Sequence, residues 1–482
     1  MQHEKFHYKT IDDVRAAMKV TGAEFPLSED ISVLGASYDF RSRRAANRVL
    51  FQPMEASDSE SGGGPCELTF RRYGRYAEGG PGILWFEAVS IAQEARASRN
   101  QLYMCRGNLD RFKRLVEFVK TTCMRQNGFE PILIIQSAHS GRYSKPEGVP
   151  APLIAENNPL FEGENPIAGD RIISDEKLAA LPALFGESAR LAAEAGFDGV
   201  DIKACHRYLL NELLCAHTRG GDYGGSFENR TRLMMQAFEA AAAAAPSGFM
   251  LTARLNVYDG FPFPYGFGAS QEGGPQAGGF QAGCSQTGGP QAGGHQTGGP
   301  QAGGPQAGGS QAGGFQEGSP LPDLTEPLRL IGMLREKYKL ELINITAGNP
   351  YVNPHVSRPY DKGNYVPEEH PFEGVARITG FARAVQEEFP DVAVACSGLS
   401  YLRGFSDRLA AGMVGSGSAA FAGFGRMALA YPDFPRDLLA GRGLDTGKVC
   451  LTCGQCARLL RAGRSAGCVI RDSEVYRLAD GR

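Results

Sequence analysis

Three side chains able to hold or move a proton, Lys203, His206 and Tyr208, fall within six residues of one another. They follow an apolar run, Gly199-Val200-Asp201-Ile202, and lead at once into Leu209, Leu210, Leu213 and Leu214. The pattern is that of a strand whose C-terminal end carries polar groups before the chain enters a helix. In a parallel α/β fold that end of a strand is where chemistry is kept. A second group lies far along the chain, Cys450-x2-Cys453-x2-Cys456-x11-Cys468. Four thiolates so spaced can wrap an iron–sulfur cluster, three from a tight loop and one returning after a short segment. Four cysteines also suit a structural zinc site, and spacing alone leaves both open.

These groups need a scaffold. Strand-like apolar runs recur at Val49–Pro53, Gly82–Val89, Ile132–Gln136, Gly199–Lys203, Met250–Asn256, Leu342–Thr346, Val392–Ser397 and Ala419–Phe424. Helical patterns lie between them at Glu67–Glu78, Leu109–Asn127, Asp175–Ala195, Asn229–Ala245, Pro327–Lys339, Phe372–Phe389 and Tyr401–Gly412, with another helix from Pro432. Strands alternating with helices imply parallel pairing through crossovers. Eight such units close naturally into an α/β fold of the (β/α)8 TIM-barrel type, an open doubly wound sheet being the competing architecture. The expected organisation is an N-terminal surface extension over 1–30, a barrel over 31–440 and a cysteine-rich segment over 441–482. A short strand or hairpin is expected over Ile31–Arg43, ahead of the first core strand.

One stretch breaks the rhythm. Residues 271–320 are ten tandem pentads of the form Gln-x-Gly-Gly-x, with departures at Cys284 and Ser319, interrupting the connection after the fifth strand. Pentads so rich in Gly and Gln cannot bury an apolar face, and a disordered insert is expected.

Composition bounds the function classes. Of 482 residues, 42% are hydrophobic and 21% charged, enough for a large core. A net charge of −3 gives no reason to expect a nucleic acid or an anionic membrane as partner. No apolar run approaches the ~20 residues of a membrane helix, and the start, MQHEKFHYKT, lacks the apolar core of a secretion signal. Seven of the eleven cysteines are scattered and four are clustered. That usage points to a reducing compartment, the cytoplasm, and to a metal site instead of disulfides.

Other strand ends carry unusual polar groups. The turns at Ser397-Gly398 and Gly425-Arg426 follow strands seven and eight, where such barrels keep a phosphate pocket. Gln136 offers an amide that both donates and accepts. Arg254 supplies a fixed charge suited to the N1/C2 edge of an isoalloxazine.

With these residues in place, the sequence resembles the Old Yellow Enzyme family of FMN-dependent oxidoreductases. The similar branch is the iron–sulfur one that includes 2,4-dienoyl-CoA reductase and trimethylamine dehydrogenase. The resemblance rests on NRVLFQPM, RRYGRYAEGGPGILWFEA, QSAHSGR, GFDGVDIKACHRYLLNELL, DYGGSFENR, ARLNVYDG and GFGR-MALAYPD, over about 45–470 apart from the repeats. It implies that Pro53 and Met54 lie along the flavin, with Glu55 near its N5/C4 region. Gln136 would contact the pyrimidine ring and Arg254 the N1/C2 edge or ribityl chain. Ser397, Gly398, Gly425 and Arg426 would belong to the phosphate end. The family's motif of two substrate-oxygen ligands and a tyrosine reads here Lys203-Ala-Cys-His206-Arg-Tyr208, with lysine where many relatives have histidine. His355 would be a second proton-relay residue. The four clustered cysteines would bind a 4Fe-4S cluster.

The activity implied is reduction of an activated C=C bond of a small-molecule substrate by hydride transfer from flavin N5, with Tyr208 as proton donor and the cluster relaying electrons. The alternative is an amine-type dehydrogenase that passes electrons from FMN through the cluster to an external acceptor. A third reading is a subunit that transfers electrons or binds without substrate chemistry of its own. The sequence contains no G-x-G-x-x-G unit for a second nucleotide-binding half. The resemblance therefore implies an external electron-transfer partner, whether a flavoprotein, a ferredoxin or an NAD(P)H-oxidising subunit, or direct reduction by NAD(P)H. A homo-oligomer is compatible with all of these.

Overall fold

Alternation along each strand decides what fills the middle of this molecule. In a computed structural model that describes residues 3–270, 320–363 and 365–477, eight parallel strands close into a barrel. They are β1 (Val49–Phe51), β2 (Ile83–Ser90), β3 (Ile132–Ala138), β4 (Gly199–Ile202), β5 (Met250–Asn256), β6 (Leu342–Thr346), β7 (Ala393–Cys396) and β8 (Phe421–Phe424). β8 pairs with β1, so no strand edge is left open. The expected (β/α)8 architecture is the observed one.

Every second residue of a strand faces inward. The first inward residues are apolar: Leu50, Ile83, Trp85, Ile132, Ile134, Met250, Leu342 and Phe421 form one buried cluster inside the barrel. Continuing by twos toward the C-terminal ends gives Gln52, Gln136, Lys203, Arg254, Thr346 and Ser397, all lining one cleft. The barrel is thus plugged below and polar at its upper mouth. At Gly199 a Cβ would stand 2.7 Å from the Met250 carbonyl and 2.8 Å from Ile134 Cδ1, so only glycine lets β4 sit between its neighbours.

Outside the strands, helices α1 (Glu67–Gly79), α2 (Leu109–Asn127), α3 (Asp175–Ala195), α4 (Phe227–Ala244), α5 (Thr325–Tyr338), α6 (Pro371–Glu388), α7 (Ser406–Gly415) and α8 (Phe434–Leu439) pack onto the barrel through the main core. α2 and α3 have the bounds read from the sequence. The span read as Tyr401–Gly412 begins instead as a 3-10 segment, Leu399–Phe405, before α7.

The amino-terminal residues are not merely a surface extension. Ile11–Thr21 is a helix, started by a capping box between Thr10 and Asp13 and ended by Gly22. It buries Val14, and the flanking Tyr8 and Phe25 join the main core. The short hairpin expected over Ile31–Arg43 is present but shifted: a 3-10 turn at Ser32–Gly35 precedes an antiparallel hairpin of Tyr38–Asp39 and Arg44–Ala45. Tyr38 and Phe40 pack against the barrel's interior cluster and close its lower end. The repeats at 271–319 lie outside the described residues. No helix among those described is long and apolar enough to cross a membrane.

Candidate active site

The cleft at the upper mouth has a volume of about 1160 Å³. Pro53, Met54 and Glu55 after β1, Gln136 on β3, Lys203, His206 and Tyr208 after β4, and Arg254 on β5 all line it. So do Ser397, Gly398, Gly425 and Arg426 after β7 and β8. Residues spread over more than 370 positions of sequence are brought to one wall.

Beneath the opening lies one buried carboxylate. Asp201 Oδ2 accepts from Gln136 Nε2 at 2.6 Å and Trp85 Nε1 at 2.8 Å, and Oδ1 accepts from the Arg254 backbone N–H at 2.6 Å. Gln136 and Asp201 are register partners, which is why the two side chains meet. Burial raises the Asp201 carboxyl to about 6 against these hydrogen bonds. The amide nitrogen of Gln136 is thereby tied downward, and its orientation is set. Arg254 Nε is buried with no hydrogen-bond partner, and burial depresses its guanidinium below the ordinary range. A buried donor left unmatched by the protein marks a place for a ligand acceptor.

The turn after β4 is built to present its side chains. His206 and Arg207 both hold left-handed backbone, at φ 64° and 61°, a conformation costing non-glycine residues about 1 kcal/mol or more each. The Arg207 N–H donates to Asn211 Oδ1 at 2.7 Å, and Arg207 Nη1 reaches the Tyr265 carbonyl at 2.8 Å and Asp259 at 3.4 Å. Asp259 also accepts from Asn256 Nδ2 at 2.6 Å and from the Cys215 thiol at 2.8 Å. This buried knot, absent from the sequence reading, holds the strained turn.

Tyr208 then points across the cleft. Its hydroxyl donates to Glu55 Oε2 at 2.8 Å and lies 3.4 Å from the Tyr351 hydroxyl. Burial, and next the Glu55 charge, push its phenol well above the usual range. Lys203 Nζ sits 3.5 Å from the centroid of the Tyr208 ring and makes no ion pair among the described residues. Burial lowers its ammonium from the usual range. His206 is held well below its ordinary value by burial and then by Arg254, Lys203 and Arg358, so it is neutral.

His355 is not in this group. It lies within the short helical turn Pro354–Ser357, where its ring bonds Tyr365 and lies 4.0 Å from Glu369. Tyr351, which sequence reasoning passed over, takes the place beside Tyr208 and stacks on Tyr143 at 4.0 Å.

The other end of the cleft is cationic. Arg426 Nη2 donates to the Pro359 carbonyl at 3.1 Å, which brings it beside Arg358. Burial and then the Arg426 charge lower Arg358 to about 10. Neither arginine has a carboxylate partner among the described residues. Gly398, at φ 82°, and Gly425 shape the same end, and the short helix from Arg426 starts there without a side-chain cap. Two guanidiniums without a carboxylate partner, beside free helix N–H groups, suit a phosphate.

Beyond Arg426 lies a smaller cavity of about 370 Å³, lined by Cys450, Cys453, Cys456 and Cys468 together. Cys456 and Leu429 belong to both cavities. The three-cysteine loop turns through left-handed Thr452 and Gly454. Cys450 Sγ accepts the Thr452 N–H and Cys468 Sγ the Arg471 N–H, each at 3.4 Å. Burial raises the Cys450 thiol to about 12. No group of three or more His, Cys, Asp or Glu side chains among the described residues is gathered closely enough to hold a metal ion as it stands. The donor set, four thiols on one cavity wall with N–H donors at two sulfurs, still fits a thiolate-bound cluster.

Residues 38–263 match the model of the NADH:flavin oxidoreductase / NADH oxidase family. Over that stretch, 226 of the 482 residues, the chain is similar to this family. The chain is 28% identical over 226 residues to an NADPH dehydrogenase of Clostridium acetobutylicum, an alignment covering 46% of this chain and 63% of that one. It is 25% identical over 240 residues to an NADH:flavin oxidoreductase of Gibberella zeae, covering 45% and 55%. The alignments thus take in about three-fifths of the length of these flavin oxidoreductases. Among solved structures the fold is similar to a 2-naphthoyl-CoA reductase, with TM-score 0.68, 16% identity and coverage of 92% of this chain and 57% of that one. Histamine dehydrogenase from Rhizobium sp. 4-9 gives 0.61, 16%, 91% and 52%. An old yellow enzyme homologue from Zymomonas mobilis gives 0.56, 18%, 86% and 94%. The family match ends after β5, so the cysteine segment lies outside it.

Proposed function

We propose that the protein is an FMN-dependent reductase of activated C=C bonds, with a 4Fe-4S cluster on Cys450, Cys453, Cys456 and Cys468. The observation that carries this reading is the charge of the cleft. Its walls hold five cationic side chains, Lys203, Arg254, Arg358, Arg426 and Arg461, against the single carboxylate of Glu55. Such a cleft suits an anionic cofactor and a substrate that becomes negative as it reacts. Arg358, Arg426 and the Gly398 and Gly425 turns would hold the FMN phosphate. Gln136 and Arg254, fixed by Asp201, would face the ring. Bound and reduced, the flavin would supply a hydride. Lys203 and neutral His206 would polarise the activating carbonyl or carboxylate, and Tyr208 would protonate the carbon beside it.

The same charge disfavours an amine-type dehydrogenase, because a cationic substrate would meet Lys203. The cysteine cavity adjoins the phosphate end through Arg426 and Cys456, and electrons would pass there to or from an external flavoprotein, ferredoxin or NAD(P)H-oxidising subunit. NAD(P)H could also reduce the FMN directly. The cysteines among the described residues are free thiols, which suits the cytoplasm.

The visible spectrum of the purified protein, with iron and sulfide analysis, tests the cofactor set. Flavin bands over a broad iron–sulfur absorbance are expected. A colourless protein carrying stoichiometric zinc would refute the cluster, and one that takes up no FMN would refute the whole reading.

A further inference from the structure

We propose that Glu55 gates Tyr208 and supplies the proton that Tyr208 delivers. The inference rests on the reading above, in which Tyr208 is the donor. Its observation is separate: the Tyr208 hydroxyl does not point freely into the cleft but donates to Glu55 Oε2 at 2.8 Å. Tyr208 is 1% exposed, so a phenolate left there has no solvent route to recover its proton. Glu55 lines the same cleft but is only half-buried, and that exposure lets it exchange with solvent.

The backbone beside Glu55 is pinned from two sides. The Ala56 N–H donates to Glu87 Oε2 at 2.9 Å, and the Ala56 carbonyl accepts the Ala466 N–H at 2.7 Å. Glu87 is in turn bridged to Asp58 by Arg72. The backbone next to Glu55 is therefore held by the β2 strand on one side and by the cysteine segment on the other. The ionisable groups that face Glu55 itself are Tyr208 and Lys203 from the β4 turn and Tyr351 from the loop after β6. Behind Tyr351 stand Tyr143, stacked on it, and the Arg358 charge.

The chemistry follows from who donates. While Glu55 is ionised, the phenol hydrogen is committed to it. When Glu55 is protonated, its O–H donates to the phenol oxygen and the phenol hydrogen turns into the cleft. After hydride has reached one carbon of the double bond, the carbanion next to the carbonyl takes the Tyr208 proton. The Tyr208 O–H bond breaks, the C–H bond forms, and the Glu55 proton moves to the phenol oxygen. Tyr208 ends neutral, Glu55 ends as carboxylate, and solvent reprotonates it. An ordinary carboxyl is about six pH units more acidic than a phenol, so this route never leaves a buried phenolate behind. Lys203 over the ring holds the charge that develops during transfer.

The test uses the holoenzyme, reduced anaerobically and mixed with 2-cyclohexenone across pH 4 to 9. Wild type should reoxidise faster as pH falls. Glu55→Gln should be slower by roughly a hundredfold and lose that acid limb. Glu55→Ala should regain rate when formate is added. A second readout needs no turnover: with ring-labelled tyrosine, the Tyr208 carbon-13 signal, assigned by its loss in Tyr208→Phe, should move in wild type as Glu55 titrates and stay fixed in Glu55→Gln. A wild-type rate and pH profile in Glu55→Gln, or a Tyr208 signal in wild type that shows no titration of Glu55, overturns the proposal; the wild-type titration decides even if the variants fold poorly. If Tyr208→Phe reoxidises at the wild-type rate, the donor reading beneath it fails instead. If Tyr208→Phe is slow and Glu55→Gln is not, only the role of Glu55 fails.

Discussion

Replacing Asp201 with Asn separates what the cleft costs the fold from what it provides to a ligand. Burial raises the Asp201 carboxyl from 3.8 to about 6. A raised carboxyl opposes folding once ionised: its contribution is fully present below 3.8 and is lost as pH rises through 6. The gap of about 2.2 pH units corresponds to about 3 kcal/mol of stability lost by neutral pH. Asn has the shape and neutrality of the protonated acid, so Asp201→Asn should escape that loss. Urea unfolding after flavin removal should find the variant close to wild type at acid pH and more stable by about 2–3 kcal/mol at pH 8. Taking the difference between the two proteins at each pH cancels the other titrating groups. FMN affinity should move the other way. Gln136 and Trp85 share one acceptor oxygen and the Arg254 N–H uses the other. An amide NH2 in either position faces a donor, frees Gln136 or shifts Arg254, and should weaken FMN binding about tenfold or more. Equal pH dependence in the two proteins would refute the buried-charge argument, and unchanged FMN affinity would refute the orienting role.

Further outcomes follow from the same geometry. Tyr208→Phe should slow reoxidation of the reduced enzyme by an enone by about a hundredfold or more, read in stopped flow, while reduction of the flavin keeps its rate. Arg358→Ala should lower FMN affinity by roughly ten- to a hundredfold in a fluorescence titration, since the charge has no protein partner to lose. Cys468→Ser should remove iron and the broad visible absorbance but leave the flavin bands, because Cys468 lines only the cysteine cavity. Gly423→Ala should destabilise by about 1–3 kcal/mol or more in thermal unfolding, as its Cβ would stand 2.1 Å from Gln52 Nε2 and 2.3 Å from the Cys396 carbonyl.

Much of the frame was legible because its signals are local. The bounds of β5 and β6 were read directly, and apolar runs punctuated by glycine located the other strands. The upper mouth was legible in part, through Gln136, Lys203 and Arg254. Stepping by two along β1 and β6 would also have found Gln52 and Asn344, whose side chains bond each other at 2.8 Å. The N-terminal helix was missed although Thr10, Asp13 and Gly22 mark both its ends. Other parts had no local signal. Glu55 meets Tyr208 across 153 positions, and nothing near either residue announces the pairing. Arg358 reads as an ordinary loop arginine until the fold sets it beside Arg426. His355 stands outside the cleft lining because loop position does not fix side-chain direction: the turn from Pro354 sets it against Tyr365, and Tyr351, four residues earlier, lines the cleft. The buried Asp259 knot beneath the strained turn depends on Asn211, Cys215 and Asn256 folding onto one point, which spacing alone does not disclose.

Anaerobic mixing with two probes tests the central claim most directly. Reduced enzyme mixed with 2-cyclohexenone should regain its oxidised flavin absorbance, and oxidised enzyme mixed with trimethylamine should show no bleaching. Bleaching by the amine with no reoxidation by the enone would contradict the account and assign the cleft to amine oxidation.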